Sequence, residues 1–308
     1  MTERHDLLPR IADRAHQGIF PGCRTCLLDL AQKVSILASG GNEELRSKVE
    51  TIGREIVQSE QADVLTSPEL ANIMLREIKK ITGVADPYAD YKFREMSLAH
   101  QAFRKIEQEM GSDLHTALIA AALGNSLDFF TPPETALQVP EAVWQNSTFF
   151  HHDDTQALSS FLSTHPRHIL YLTDNAGEVY FDLPLYDHLS AQAERVTLVV
   201  KGEAALNDLT RLDLDKAGLL DRFTEIADTG TDGAGIDWPN VSEDFLKLCS
   251  EADLMVIKGM ANFETVYPRR IAAPNFFLFK VKCVPMKDYL KAPPDSFWAM
   301  WRDGASIQ

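Results

Sequence analysis

Hydrophobic residues recur at helical spacing through the first half of the chain. Leu27, Leu30, Val34 and Leu37 form one stripe, closed by the Gly40-Gly41 pair. Val49, Ile52 and Ile56 form a second. Pro68 stands where a helix begins, ahead of Leu70, Ile73, Met74, Ile78 and Ile81, with Gly83 as the stop. Phe93, Met96, His100, Phe103, Ile106 and Met110 continue the period. Ser112 offers an N-cap for a helix that carries Leu114, Leu118 and Ala121 and ends near Gly124. No strand pattern is read before about residue 165.

The second half changes period. Ile169–Leu172 and Leu254–Ile257 are short unbroken apolar runs, as strands covered on both faces require. Val196–Val200 is a third run, rich in β-branched residues. Phe223–Ala227 alternates, and Phe276–Val281 is a fifth candidate. The first four are separated by segments long enough for crossover helices. The pattern therefore predicts an α/β protein: a helical region over residues 1–165, then residues 166–308 as a mostly parallel sheet with helices on both faces. Thr131 to Asp154, with Pro132-Pro133 and Pro140, reads as the linker. Phe129-Phe130 and Phe276-Phe277 read as core, and Trp298 and Trp301, three apart, as part of a terminal helix docked on the body.

A length of 308 residues fits two domains of about 150 each. The 30 basic and 45 acidic side chains leave a net charge of −15, which argues against a partner bound through a phosphate backbone, and so against nucleic acid. A small anionic substrate stays compatible, because a metal ion or a few local cations reverse the field inside a cleft. Charges scattered from Glu3 to Arg14 have no apolar run after them, and the apolar stretch Ala117–Leu123 is far too short to span a bilayer. A cytoplasmic protein without a membrane partner is expected. Cys23, Cys26, Cys249 and Cys283 are too few for a disulfide scaffold.

In an open parallel sheet, ligands bind at the carboxyl ends of the strands. Thr173-Asp174-Asn175-Ala176-Gly177-Glu178 follows the first strand candidate, and Lys201-Gly202 with Asn207-Asp208 follows the second. Asp228-Thr229-Gly230-Thr231 follows the third, and Lys258-Gly259 with Asn262-Phe263-Glu264 the fourth. Asp174, Asn175 and Asp208 offer only hard oxygen ligands, which suit Mg²⁺ or Mn²⁺. Gly177 opens a helix whose N–H groups can face an anion, and Lys258 can place a point charge beside a phosphoryl oxygen. Taken singly, each group has a plainer reading. Asp-Asn-Ala-Gly is also turn chemistry, Asn207-Asp208 can cap a helix near Leu209, and a strand-end lysine is commonly just solvated.

These segments, with Asp182, resemble the metal-dependent damage-control phosphatases, first catalogued as domain of unknown function 89. Gly124-Asn125-Ser126-Leu127-Asp128-Phe129 resembles that family's Gly-Asn-x-x-Asp-Phe segment, Lys282-Cys283 its late Lys-Cys pair, and Cys23-x-x-Cys26 the paired cysteines of its prokaryotic branch. The resemblance spans nearly the whole chain in order. It implies a helical N-terminal part and an α/β/α domain with a Rossmann-like sheet. It also implies a phosphatase that hydrolyses small phosphorylated metabolites with Mn²⁺, Co²⁺, Ni²⁺ or Mg²⁺. Carried over residue by residue, the metal ligands are Asp174, Asn175 and Asp208, and the catalytic groups Asp174, Lys258 and Glu264. The substrate side is lined by Asn125, Asp128, Glu178, Asn207 and Asn262. The attacking group is either water or a carboxylate, with Asp174 first among the carboxylates. The Arg-Thr-x-Lys element of the family's eukaryotic sugar-phosphate branch is absent, with Lys258-Gly-Met-Ala in its place.

Three motifs stay outside this scheme. Cys23-x-x-Cys26 has no second Cys-x-x-Cys or His-x-x-x-His to complete a zinc site; packing, metal and redox roles remain open. His151-His152-Asp153-Asp154 falls in the expected linker and reads as a solvated run. Gly230-Thr-Asp-Gly-Ala-Gly235 lacks the phosphate-cradling pattern and reads as a loop on the pocket rim. A non-catalytic nucleotide- or metabolite-binding protein on the same sheet is the competing function, although the dinucleotide glycine fingerprint is missing.

Overall fold

The helices of the first half start and stop where local chemistry dictates. They are α1 (Cys23–Ser39), α2 (Glu43–Gln58), α3 (Ser67–Thr82), α4 (Ala89–Ile106) and α5 (Leu114–Gly124) in a computed structural model that describes residues 18–20, 22–126 and 141–305. Helix α3 opens with a Thr66/Glu69 capping box, has Pro68 in its first turn, and closes at Gly83 in the left-handed region. Helix α1 closes at Gly40 in the same way. The cap of α5 is Asp113, one residue beyond Ser112, and its side chain accepts the Thr116 N–H.

Helix α4 departs from the expected stripe. Its buried face carries Lys92, Glu95, Met96, Ala99 and Phe103, while Phe93 is 72% exposed and His100 is exposed. The helix is rotated so that two charged side chains point inward, which is tolerable only where each finds a partner.

The rest of the chain alternates. β1 (Phe150–Asp153), α6 (Thr155–Leu162), β2 (His168–Leu172), α7 (Val179–Gln192), β3 (Arg195–Val200), α8 (Arg211–Lys216) and β4 (Glu225–Asp228) come first. They are followed by α9 (Glu243–Glu251), β5 (Leu254–Lys258), α10 (Met260–Val266), β6 (Asn275–Lys280), α11 (Val284–Leu290) and β7 (Phe297–Arg302). The strands form one sheet in the order β1-β7-β6-β5-β2-β3-β4. All neighbours are parallel except β6 and β7. The mostly parallel α/β architecture and all five strand runs are as the sequence predicts.

Two strands were not expected. β1 lies before residue 165 and contains His151-His152-Asp153, so this run is part of the sheet rather than a solvated linker. The His152 ring stacks on Trp298 (centroids 5.0 Å apart) and its Nε2 lies 2.8 Å from Asp154 Oδ2, which also accepts the Trp301 N–H. Residues 297–302 form β7 instead of a terminal helix. An apolar run of this length has no periodicity that separates strand from helix. Trp298 and Trp301 therefore face opposite sides of the sheet, each packing into a different core. Phe129 and Phe130 lie outside the described residues, whereas Phe276 and Phe277 are fully buried.

Each face of the sheet has its own core. Tyr171, Leu198, Val256, Phe276 and Leu278 pack beneath α4, α5 and α7. Leu170, Leu172, Val199, Ile257 and Phe277 pack against α9, α10 and α11. Helices α1, α2 and α3 enclose a third, smaller core. The chain winds outward from β2 through β3 to β4, then returns to place β5 and β6 on the other side of β2. The carboxyl ends of β2 and β5 consequently flank the switch point where such sheets bind ligands.

Helix α10, which leaves that switch point, is anchored by Phe263. Its ring stacks on Phe279 at 4.6 Å and meets Phe277 edge-on at 5.2 Å. Phe263→Ala is expected to cost about 4 kcal/mol and to lower Tm by several degrees in thermal unfolding, with Phe263→Leu retaining most of the stability. An unchanged Tm for the alanine variant would show that this ring does not hold α10.

Candidate active site

Two loops are zipped together at the switch point. Beyond β2, Thr173 donates its N–H and hydroxyl to the Val199 carbonyl, at 3.0 and 2.9 Å. The next residues then meet the loop that follows β3. The Leu209 N–H donates to the Asp174 carbonyl (2.9 Å) and the Ala176 N–H to the Asn207 carbonyl (2.8 Å). Asn175 and Asp208 face one another across this isolated antiparallel bridge. Asp174, Asn175 and Asp208 are thus gathered by backbone pairing, each less than a tenth exposed. The turn reading holds for the backbone, since Asn175 starts a short 3-10 turn over Ala176–Glu178, but its side chain makes no cap, and α8 is capped by Thr210 rather than by Asn207 or Asp208.

The third contributor is the end of β5. Gly259 has φ +82°, and a Cβ there would lie 2.0 Å from Asp174 Oδ2. Only glycine lets this backbone approach the carboxylate so closely. Asn125 Nδ2 donates to Asp174 Oδ2 (2.9 Å) and to Glu178 Oε1 (2.8 Å), and its Oδ1 accepts the Lys280 N–H (2.9 Å). Asn175 Nδ2 also donates to Glu178 Oε1, at 2.8 Å.

Lys258 is fully buried between Glu178 Oε2 at 2.8 Å and Asp182 Oδ1 at 2.6 Å, and Tyr171 donates its hydroxyl to the same Asp182 oxygen. Burial alone would lower the affinity of this ammonium for its proton; the carboxylates of Asp182 and Glu178 more than reverse that, and its pKa rises. Lys201 donates to the Gly235 carbonyl (2.5 Å) and to Asn262 Oδ1 (3.3 Å), and lies 3.4 Å from Asp208 Oδ2. Asn262 Nδ2 donates to the carbonyls of Thr173 (2.9 Å) and Lys258 (2.7 Å).

Several expected site residues therefore face protein partners. Lys258 is clamped inside an ion-pair ladder, and Asn125, Glu178, Asn207 and Asn262 hydrogen-bond to neighbouring segments. The Gly177 N–H, expected to face a bound anion, donates to Glu95 Oε1 at 2.8 Å. Asp128 lies outside the described residues. Glu264 is 8% exposed, and among the described residues no hydrogen bond or ion pair joins it to the cluster around Asp174. Its charge instead bears on the thiols of Cys23, Cys26 and Cys283. Burial, then Glu264, pushes the Cys23 thiol up to about 11, and burial pushes Cys283 up to about 12. Among the described residues, no three His, Cys, Asp or Glu side chains gather as a group that could hold a metal ion. Asp174, Asn175 and Asp208 differ from such a group in having an amide as one of the three.

Two members of the site were not read from the sequence. Glu95 on α4 accepts from Gly177 and from Asn207 Nδ2 (2.9 Å). Lys201 appeared only as part of a motif. The signal for Glu95 was available: it sits one turn from Lys92 and one residue from Met96, on the buried stripe of an amphipathic helix where a charge is out of place.

Burial and like charge shape the electrostatics. Desolvation, then Glu178 and Asp208, raises the Asp174 pKa well above the usual carboxylate range; Lys282 and Lys201 oppose this. Burial lifts Asp208 to about 6 against the pull of Lys201, and Asp182 to about 6 against that of Lys258. Glu95 and Glu264 are pushed up to about 7 by burial. Asp208 Oδ2 is buried without a hydrogen bond. That oxygen lies 3.4 Å from Lys201 Nζ, and Asp182 Oδ2 is likewise buried without a hydrogen bond; negative charge concentrated in this way is relieved by a cation.

Comparison with known proteins shows the family and the fold. Residues 19–296 match the model of the damage-control phosphatase ARMT1-like domain. A damage-control phosphatase of Pyrococcus horikoshii is 28% identical over 286 residues, covering 90% of this chain and 96% of the relative. One from Archaeoglobus fulgidus is 28% identical over 281 residues, covering 87% and 93%. The crystal structure of a DUF89-family protein from Pyrococcus horikoshii superposes with a TM-score of 0.79 at 25% identity, covering 92% of this chain and 99% of that one. The family model spans nearly the whole chain, both halves included, and the chain belongs to the damage-control phosphatase ARMT1-like family.

Proposed function

We propose that this protein is a divalent-metal-dependent phosphatase of small phosphorylated metabolites, with Asp174, Asn175 and Asp208 as the metal ligands. The observation that carries the reading is the bridge between Asn175 and Asp208, which brings three hard oxygen donors together, one of them Asp208 Oδ2, buried without a hydrogen bond and 3.4 Å from Lys201 Nζ. Such donors fit Mg²⁺ or Mn²⁺, with Co²⁺ and Ni²⁺ close behind. When bound, the cation supplies Lewis-acid polarisation of a phosphoryl oxygen and neutralises negative charge.

The chain's own groups do the rest. Asn125 and the wall at Gly259 fix the Asp174 carboxylate, leaving it either to attack phosphorus or to orient a water that does so. Lys258 does not reach the phosphate; it holds Glu178 in place, and Glu178 in turn accepts from Asn125 and Asn175. Lys201 sets the position of Asp208 and is tied to the 235 loop. The damage-control names of the relatives support small phosphorylated substrates. No described helix is long and apolar enough to cross a membrane.

Asp208→Asn should lower metal-dependent release of phosphate from a generic aryl phosphate by roughly 100-fold or more, assayed with and without Mn²⁺. It should leave the metal-free Tm unchanged or raised, since a buried charge disappears. Wild-type turnover in this variant would remove Asp208 from the ligand set.

A second expectation concerns pH. Glu95 and Glu264 have folded pKa values of about 7 against an ordinary value of 4.5. Between those limits the unfolded chain gives up its protons first, so stability declines as pH rises and levels off above the folded pKa. Metal-free protein should therefore have a higher Tm at pH 5 than at pH 7.5, and Mn²⁺ should raise the Tm chiefly at the higher pH. A Tm in metal-free buffer that climbs steadily across this range would contradict the buried-charge account.

A further inference from the structure

Helix α4 belongs to the helical half, yet two of its charged side chains grip the loops that carry the proposed ligands. Glu95 is fully buried. Its Oε1 accepts the Gly177 N–H at 2.8 Å and its Oε2 accepts the Asn207 side-chain amide at 2.9 Å. Gly177 lies two residues beyond Asn175, and Asn207 immediately precedes Asp208. One turn earlier on the same face, Lys92 pairs with Asp213 at 2.8 Å and with Asp86 at 2.9 Å. Asp213 accepts the Thr210 N–H (3.0 Å) and hydroxyl (2.6 Å), closing the cap of α8. Asp208 is thereby held on both sides from one helix face, and Glu95 is the group that also reaches the loop bearing Asp174 and Asn175.

We propose that Glu95 is a positioning residue that sets the spacing between the Asp174-Asn175 loop and the Asp208 loop by bridging the Gly177 amide and the Asn207 side chain. The inference rests on the metal-dependent reading above and extends it to a residue in the helical half. Two features specify the role. The bridge needs an acceptor at each of two donors about one carboxylate width apart, which a glutamate at this helix position spans. Both oxygens also point at protein donors, so the group acts on the loops and does not touch substrate. Partners that orient ligand-bearing segments in this way typically change metal affinity roughly 10- to 100-fold when altered.

Two conservative variants separate reach from charge. Glu95→Asp keeps the charge but is one methylene too short to bridge both donors. Glu95→Gln keeps the reach; its carbonyl can accept from Gly177, and its NH₂ can donate to Asn207 once that amide reverses. Mn²⁺ affinity by calorimetry, kcat and KM with an aryl phosphate, and hydrogen exchange of segments 174–178 and 207–210 without metal would be measured on both. Glu95→Asp should weaken Mn²⁺ binding roughly 10- to 100-fold and speed exchange in both segments, while Glu95→Gln stays within a few-fold of wild type. Wild-type affinity and exchange in Glu95→Asp would overturn the proposal, as would loss confined to Glu95→Gln, which would mean that charge matters rather than reach. Absence of Mn²⁺ binding by the wild type would sink the metal reading. Exchange alone then decides the brace: faster exchange in Glu95→Asp supports it and unchanged exchange refutes it.

Discussion

A carboxylate removed from water must be met by a hydrogen-bond donor, a cation or a proton, and the upper edge of this sheet is built around that requirement. Asp174, Glu178, Asp182, Asp208 and Glu95 are all less than a tenth exposed. Two buried lysines meet part of the charge, Lys258 through Glu178 and Asp182, Lys201 through Asp208. Backbone and amide donors meet more of it at Glu95 and Asp174. The remainder is concentrated where Asp174 and Asp208 converge. Two carboxylate oxygens of the cluster, Asp182 Oδ2 and Asp208 Oδ2, are left without a hydrogen bond, and of the two only Asp208 belongs to the proposed ligand set.

That arrangement explains why a long helical half precedes the sheet. Helix α3 uses Arg76 and Lys79 to hold Asp232 and Asp237, and Asn72 exchanges hydrogen bonds with Ala234. Helix α4 holds the loop after β3 through Glu95 and Lys92. Loops at the carboxyl ends of parallel strands would otherwise be free to separate like-charged groups, and the repulsion between Asp174 and Asp208 favours that separation. The helices oppose it with interactions that are buried at α4 and partly buried at α3, and therefore less screened by salt than surface pairs. The 230–235 loop, which lacks any phosphate-binding glycine pattern, enters the same frame through the contact of Lys201 with the Gly235 carbonyl.

Much of this was legible in the sequence, because two kinds of signal were local. Unbroken apolar runs mark β2, β3, β5 and β6, since a strand covered on both faces has no polar alternation to obscure it, and alternation marks the edge strand β4. Polar residues following those runs marked the edge at which Asp174, Asn175 and Asp208 meet. What escaped depended on tertiary pairing. β7 is an apolar run flanked by aromatic residues, and only its register with β6 makes it a strand. β1 is polar and short, and exists because β7 offers it an edge. The face of α4 is not legible locally, because by residue type Phe93 reads as core while Lys92 and Glu95 read as surface. Their partners on the sheet loops, Gly177, Asn207 and Asp213, lie more than eighty residues away, beyond any local pattern.

The same reasoning separates two kinds of polar residue that the sequence presents alike. Asn125, Asn262 and Lys258 stand in motif segments and are buried, but their donors are matched to protein acceptors. They can shape the centre without touching what binds there. Asp208 is as deeply buried, yet one of its oxygens has no hydrogen bond. A buried polar group left without a hydrogen bond carries a cost, which the Lys201 ammonium offsets in part and a bound cation would offset further. Asp182 Oδ2 shares that state, so what singles out Asp208 is the missing hydrogen bond together with its bridge to Asn175.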